Sequence, residues 1–110
     1  MSFKIKASTH FKKNIKQLAK KYKNIKQDYA ELVQLLKKEP TCGTPLGDDI
    51  YKIRLKNSSI PTGKRGGFRV ITLVKVLKES VILLTIYSKR EKEDISDDEI
   101  GEILKQIEEQ

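Results

Sequence analysis

Three cations alternate along one short segment of this 110-residue chain, Ile50-Tyr51-Lys52-Ile53-Arg54-Leu55-Lys56. In an extended strand, residues two apart share a face and stand about 7 Å from each other. Lys52, Arg54 and Lys56 would then form a row of positive charge spaced like successive phosphates of an extended RNA. Tyr51, Ile53 and Leu55 point the other way. Arg69 opens a second strand, after a polar loop carrying Lys64-Arg65-Gly66-Gly67, whose glycines let backbone N–H groups approach an anion. Tyr87-Ser88-Lys89-Arg90 closes a third strand. It combines an aromatic ring with two cations, the mixture that holds single-stranded bases.

Such a set suits RNA cleavage in which the adjacent 2'-hydroxyl is the nucleophile. Three tasks then remain: removing the hydroxyl proton, stabilising the dianionic phosphorane and protonating the leaving 5'-oxygen. Arginines fit the middle task. A lysine crowded by Lys56, Arg54 and Arg69 would have its pKa lowered by like charges, so Lys52 is a candidate base or acid. Each of these residues also has an ordinary structural reading: a solvated sheet face, a flexible hairpin loop, or, for Tyr87, a core edge with a wet hydroxyl. The cation row is the least ordinary feature, because like charges in register repel and a merely solvated face would avoid them. The single His10, at a helix start, has no partner for a histidine-pair mechanism and reads as structural. The single Cys42 reads as inert. One cysteine and one histidine exclude disulfide scaffolds and zinc modules, and no metal or cofactor is expected. No paired carboxylates, phosphate-binding Gly-rich loop before a helix, or Ser-His-Asp set is visible.

The charge distribution favours a polyanionic partner. The formal net charge of +8 divides unevenly: residues 1–90 hold 21 basic and 6 acidic side chains, a net of +15, and residues 91–110 hold 2 and 9, a net of −7. A basic body of this kind raises the local concentration of nucleic acid. No apolar run approaches the length of a membrane span, and Met1-Ser2-Phe3-Lys4 lacks a signal peptide's apolar stretch. A cytoplasmic location with no membrane contact is expected.

The elements that must position these residues follow from periodicity. Ser2 to Ala7 alternates as a first strand, with Phe3, Ile5 and Ala7 on one side. Phe11, Ile15, Leu18, Tyr22 and Ile25 fall at helical spacing, and after a phase shift near Asn24 so do Tyr29, Leu32, Val33 and Leu36, ending before Glu39-Pro40. Two helices packed as a hairpin fit residues 9–38. Thr41 to Asp49, with Gly43, Pro45 and Gly47, reads as a loop. Strands follow at Ile50 to Lys56, Gly67 to Leu77 and Val81 to Tyr87, with a loop from Asn57 to Gly66 and a turn at Lys78-Glu79-Ser80. Ser96 and Glu99 form a capping box before a last helix with Ile100, Ile103, Leu104 and Ile107 as its stripe. One domain over residues 1–110 is expected. Its fold class is α+β: an N-terminal strand and helical hairpin packed on an antiparallel β-meander, with a C-terminal helix and one sheet face left open.

Tyr51-Lys52-Ile53-Arg54-Leu55, Gly63-Lys64-Arg65-Gly66-Gly67-Phe68-Arg69-Val70-Ile71 and Leu83-Leu84-Thr85-Ile86-Tyr87-Ser88-Lys89-Arg90-Glu91 together resemble the RelE/ParE superfamily of type II toxin-antitoxin toxins, particularly its HigB-like branch. The resemblance follows the element order of the whole chain and is most specific over residues 50–95. It implies a helical hairpin on an antiparallel sheet and, for many members, a ribosome-dependent endoribonuclease that cuts mRNA in the ribosomal A site. It also implies that Lys52, Arg54 and Arg69 occupy the positions of the catalytic lysines and phosphate-binding arginine, and that Arg90 matches a further arginine of that set. Lys56, Lys64, Arg65, Tyr87 and Lys89 are then candidate RNA contacts. Where RelE carries a tyrosine shortly after that last arginine, this chain has Ser96 nearby, as HigB-like toxins also lack it. The implied partners are a cognate antitoxin, the ribosome and mRNA, with a monomeric toxin inside the toxin-antitoxin complex. Two other readings stay open: a ParE-like inhibitor of DNA gyrase, and a catalytically inactive RNA-binding relative.

Overall fold

Alternating and helical segments of the sequence build a five-stranded sheet with helices on both faces. The computed structural model describes residues 2–61 and 63–108, without the side chains of Lys64 and Glu108. In chain order the elements are β1 (Lys4–Ala7), α1 (Thr9–Leu18), α2 (Ile25–Lys38), β2 (Thr44–Gly47), β3 (Ile50–Leu55), a 3-10 turn (Lys64–Gly66), β4 (Phe68–Lys75), a second 3-10 turn (Val76–Lys78), β5 (Ser80–Ser88) and α3 (Asp97–Glu108). The strand order is β1-β5-β4-β3-β2. β3, β4 and β5 form the expected antiparallel meander, and β1 adds in parallel to β5.

The helical hairpin covers one face. Phe11, Leu18, Ile25, Leu32 and Leu36 pack against Ile53, Leu55, Phe68, Val70, Val74, Val81, Leu83 and Ile86 in one cluster. Ser8 ties the hairpin to the sheet: its Oγ accepts the Phe11 N–H at 3.0 Å as N-cap of α1 and donates to the Leu84 carbonyl at 3.0 Å. Where β1 stops, Asn14 of α1 takes over the β5 edge, its Oδ1 accepting the Ile86 N–H at 3.2 Å and the Thr85 hydroxyl at 2.7 Å. α3 begins at the expected capping box, where Ser96 Oγ accepts the Glu99 N–H at 3.1 Å. Glu99 turns its carboxylate to Lys92.

Two expectations about the elements need correction. Thr41 to Asp49 is not all loop, because Thr44–Gly47 pairs antiparallel with β3 as an exposed edge strand. An edge is where a strand tolerates proline, and here Pro45 and Gly47 flank a register shift. β4 also ends two residues early, at Lys75, since the tight turn over Val76–Lys78 hands Glu79 a φ of +47°.

The second sheet face is only half open. Ile100 and Ile103 of α3 seal Ile50, Ile71 and Leu84 against it, with Leu73 packed alongside. The uncovered half carries the cations. A bulge in the β4–β5 pairing sets this half up: Ile71 pairs with Thr85 and Thr72 with Leu83, skipping Leu84. Leu83 and Ile86 therefore both face the hairpin, and the phase change brings Tyr87 opposite Arg69.

Candidate functional site

The site begins with two arginines in register. Arg54 of β3 and Arg69 of β4 are directly paired across the sheet, so their side chains leave the same face as immediate neighbours. Arg54 is exposed, but Arg69 is only 5% exposed. Its Nη2 donates to the Arg65 carbonyl at 3.0 Å and its Nη1 to the Phe68 carbonyl at 3.2 Å. Burial, and then Arg54, lower the Arg69 pKa from its ordinary value, while nearby Tyr87 acts the other way. Like charges facing each other, one of them desolvated, cost stability unless an anion sits between or above them.

Around this pair lies a cavity of about 350 Å³ lined by Thr44, Leu46, Lys52, Arg54, Arg65, Arg69 and Lys89. Five of its seven lining residues are basic. Lys52, Arg54 and Arg69 are thus brought together as the sequence suggested, with Arg65 and Lys89 beside them. The strand β2, read from the sequence as loop, supplies the wall through Thr44 and Leu46. Lys56 and Arg90 are exposed, one just beyond the end of β3 and the other in the turn after β5, and neither lines the cavity. Lys64 belongs to the 3-10 turn, and its side chain lies outside the described residues.

Tyr87 is placed differently from an open stacking platform. It is 8% exposed, and the Lys92 ammonium lies 5.9 Å from its ring centroid. Its hydroxyl reaches Asp94 Oδ1 at 3.4 Å. Burial first, and the Asp94 charge next, push its pKa up to about 12. Gly67 also has a packing role: a Cβ there would lie 2.3 Å from the Leu55 carbonyl oxygen, so glycine lets the start of β4 close on β3.

Asp94 is the neighbour of the cavity cations that sequence reasoning missed. The expectation surrounded Lys52 with like charges, yet Asp94 Oδ1 stands 2.8 Å from Lys52 Nζ. The same oxygen accepts the Ile95 N–H at 2.8 Å. The bond from Lys52 holds the Asp94 carboxyl below its ordinary pKa. The available signal was an aspartate just ahead of the capping box, inside the acid-rich residues 91–110.

His10 and Cys42 do not line this cavity. Burial pushes the Cys42 thiol up, the opposite of thiolate activation. Burial, Lys13 and Lys92 lower the pKa of His10. Among the described residues no group of three or more His, Cys, Asp or Glu is arranged to hold a metal ion, and no helix is long and apolar enough to cross a membrane.

Comparison with known proteins gives this site its context. The sequence model described as RelE toxin of the RelE / RelB toxin-antitoxin system matches residues 8–109. The chain belongs to the RelE family. Within that family the match does not single out the HigB-like branch. No curated protein sequence matches the chain. Among solved structures, isolated E. coli RelE toxin superposes with a TM-score of 0.59 at 18% identity, covering 96% of this chain and 99% of that one. A free E. coli RelE variant with two arginines changed to alanine gives 0.58 at 17%, covering 84% and 90%. The RelBE2 toxin-antitoxin complex of Mycobacterium tuberculosis gives 0.58 at 14%, covering 80% and 92%. At these identities the structures establish a shared α+β fold, and this RelE-family chain has it, with three helices and five strands among the described residues.

Proposed function

We propose that this RelE-family toxin is a ribosome-dependent mRNA endoribonuclease that inhibits translation. The observation that carries the reading is the Arg54–Arg69 pair, in register, with Arg69 buried, in the lining of a cavity that holds five cations in all. A phosphodiester carries the negative charge and paired oxygens that two neighbouring guanidinium groups recognise. In the reaction the 2'-oxygen bonds to phosphorus as its proton leaves. The P–O5' bond then breaks and the 5'-oxygen takes up a proton, giving a 2',3'-cyclic phosphate and a 5'-hydroxyl. Arg69 and Arg54 meet the non-bridging oxygens, whose charge peaks in the phosphorane. Lys52 adds charge beside them and handles a proton. Lys89 and Arg65 hold neighbouring phosphates, and Lys56 and Arg90 extend the basic track beyond the cavity, with Lys64 a further candidate RNA contact.

The partner proposed for neutralisation is a cognate antitoxin, since RelE relatives are seen in toxin-antitoxin complexes. Inducible expression with mapping of mRNA 5' ends tests the function. Cuts in register with the reading frame are expected. Intact mRNA together with inhibited supercoiling by gyrase would replace this reading with a ParE-like one.

A further inference from the structure

A single carboxylate oxygen gathers donors from three parts of the chain. Asp94 Oδ1 accepts Lys52 Nζ from β3 at 2.8 Å, the Tyr87 hydroxyl from β5 at 3.4 Å, and the Ile95 N–H from its own segment at 2.8 Å. Ile95 packs against the cluster under α3, so the segment carrying this oxygen is anchored. Tyr87 stays a neutral hydroxyl donor over the working pH range, because burial and Asp94 itself oppose its ionisation. Lys52 lines the cavity, but Asp94 and Tyr87 do not. The carboxylate therefore holds the lysine without itself being part of the cavity lining.

We propose that Asp94 is the positioning residue of the cavity: its carboxylate, itself oriented by Tyr87 and Ile95, fixes the Lys52 ammonium beside the Arg54–Arg69 pair. A lysine ammonium is a mobile point charge on a four-carbon stem. Held on one side by an oxygen acceptor, it presents its remaining N–H bonds to the phosphate without first losing rotamer freedom. Asp94 also supplies a local negative charge against which five converging cations are easier to assemble.

This inference rests on the nuclease reading, and the experiment keeps the two separable. Asp94→Asn preserves shape and an acceptor oxygen but removes the charge. Its side chain is 66% exposed, so the fold should survive, and circular dichroism with thermal melting verifies that. Single-turnover cleavage of mRNA on programmed ribosomes should slow roughly 10- to 100-fold, while affinity for the ribosome stays within about 2-fold. In a Lys52→Met background the same substitution should have almost no further effect, as expected for residues acting through each other. A non-kinetic readout accompanies these: the Tyr87 titration should move down toward the ordinary tyrosine value in Asp94→Asn. An unchanged rate, or equal losses with and without Lys52, would overturn the positioning role. A faster rate would also overturn it, marking Asp94 as a competitor of the phosphate. Failure of the wild-type protein itself to cleave would instead sink the nuclease reading.

Discussion

Replacing Arg54 by glutamine should make the protein more stable and less active at once. Arg54 faces Arg69 directly across β3 and β4, and Arg69 is 95% buried. Two unit charges about 4 Å apart repel by about 1 kcal/mol in water and several times more at a partly desolvated position. The exposure of Arg54 brings the value back toward the water limit, so relief of about 1 kcal/mol is expected. Unfolding entropy of about 2.1 cal/mol/K per residue gives about 0.23 kcal/mol/K for a chain of this length, so Tm should rise by about 4 °C. Differential scanning fluorimetry at low ionic strength measures it. The gain should shrink as salt rises toward 1 M, where the Debye length falls to about 3 Å. Lys16→Gln removes the same charge from the exposed face of α1 and serves as control, with a smaller shift. Added inorganic phosphate should stabilise the wild type more than the Arg54 variant, by mass action on the native state. A Tm that falls in Arg54→Gln, or a rise no larger than that of the Lys16 control, would refute the idea that the two facing arginines repel each other.

Three further outcomes test the frame around the site. Tyr87, with its pKa raised to about 12, contributes stability that is complete below pH 10 and lost as the pH rises from 10 through 12. The loss amounts to roughly 3 kcal/mol for a two-unit shift, and urea titrations should show wild type losing that stability relative to Tyr87→Phe across that window. Ser8→Ala removes the α1 cap and leaves the Leu84 carbonyl without its donor, at a cost of about 2 kcal/mol in denaturant midpoints at unchanged m-value. Gly67→Ala sets a methyl group against the Leu55 carbonyl. It should cost about 1–3 kcal/mol in thermal melts and weaken cleavage by shifting the start of β4 under Arg69.

Much of this frame was legible because periodicity and burial agree. The alternation of Ile50 to Lys56 separates core from cation face without tertiary information, and the phase break at Asn24 marks the turn between α1 and α2. The spacing of Ile100, Ile103 and Leu104 likewise announces the face α3 buries, though not which sheet face receives it. What escaped is what depends on pairing. The bulge at Leu84 moves Tyr87 to the face of Arg69, and no local pattern announces a bulge whose cause lies in the neighbouring strand. β2 escaped because Gly43, Pro45 and Gly47 carry turn chemistry, which an edge strand tolerates and a central strand would not. Asp94 escaped because its partners are 42 and 7 residues away in sequence, so only the folded chain shows that the acidic stretch reaches back into the basic site.

The most direct test of the central claim is single-turnover cleavage of mRNA on programmed ribosomes by wild type and Arg54→Ala/Arg69→Ala, with ribosome affinity measured on the same proteins. The account predicts that the double substitution lowers the cleavage rate at least 100-fold, the scale of lost transition-state charge stabilisation, while affinity changes by less than about 10-fold. Cleavage that persists at the wild-type rate would contradict it, because the paired arginines would then do nothing for the phosphate.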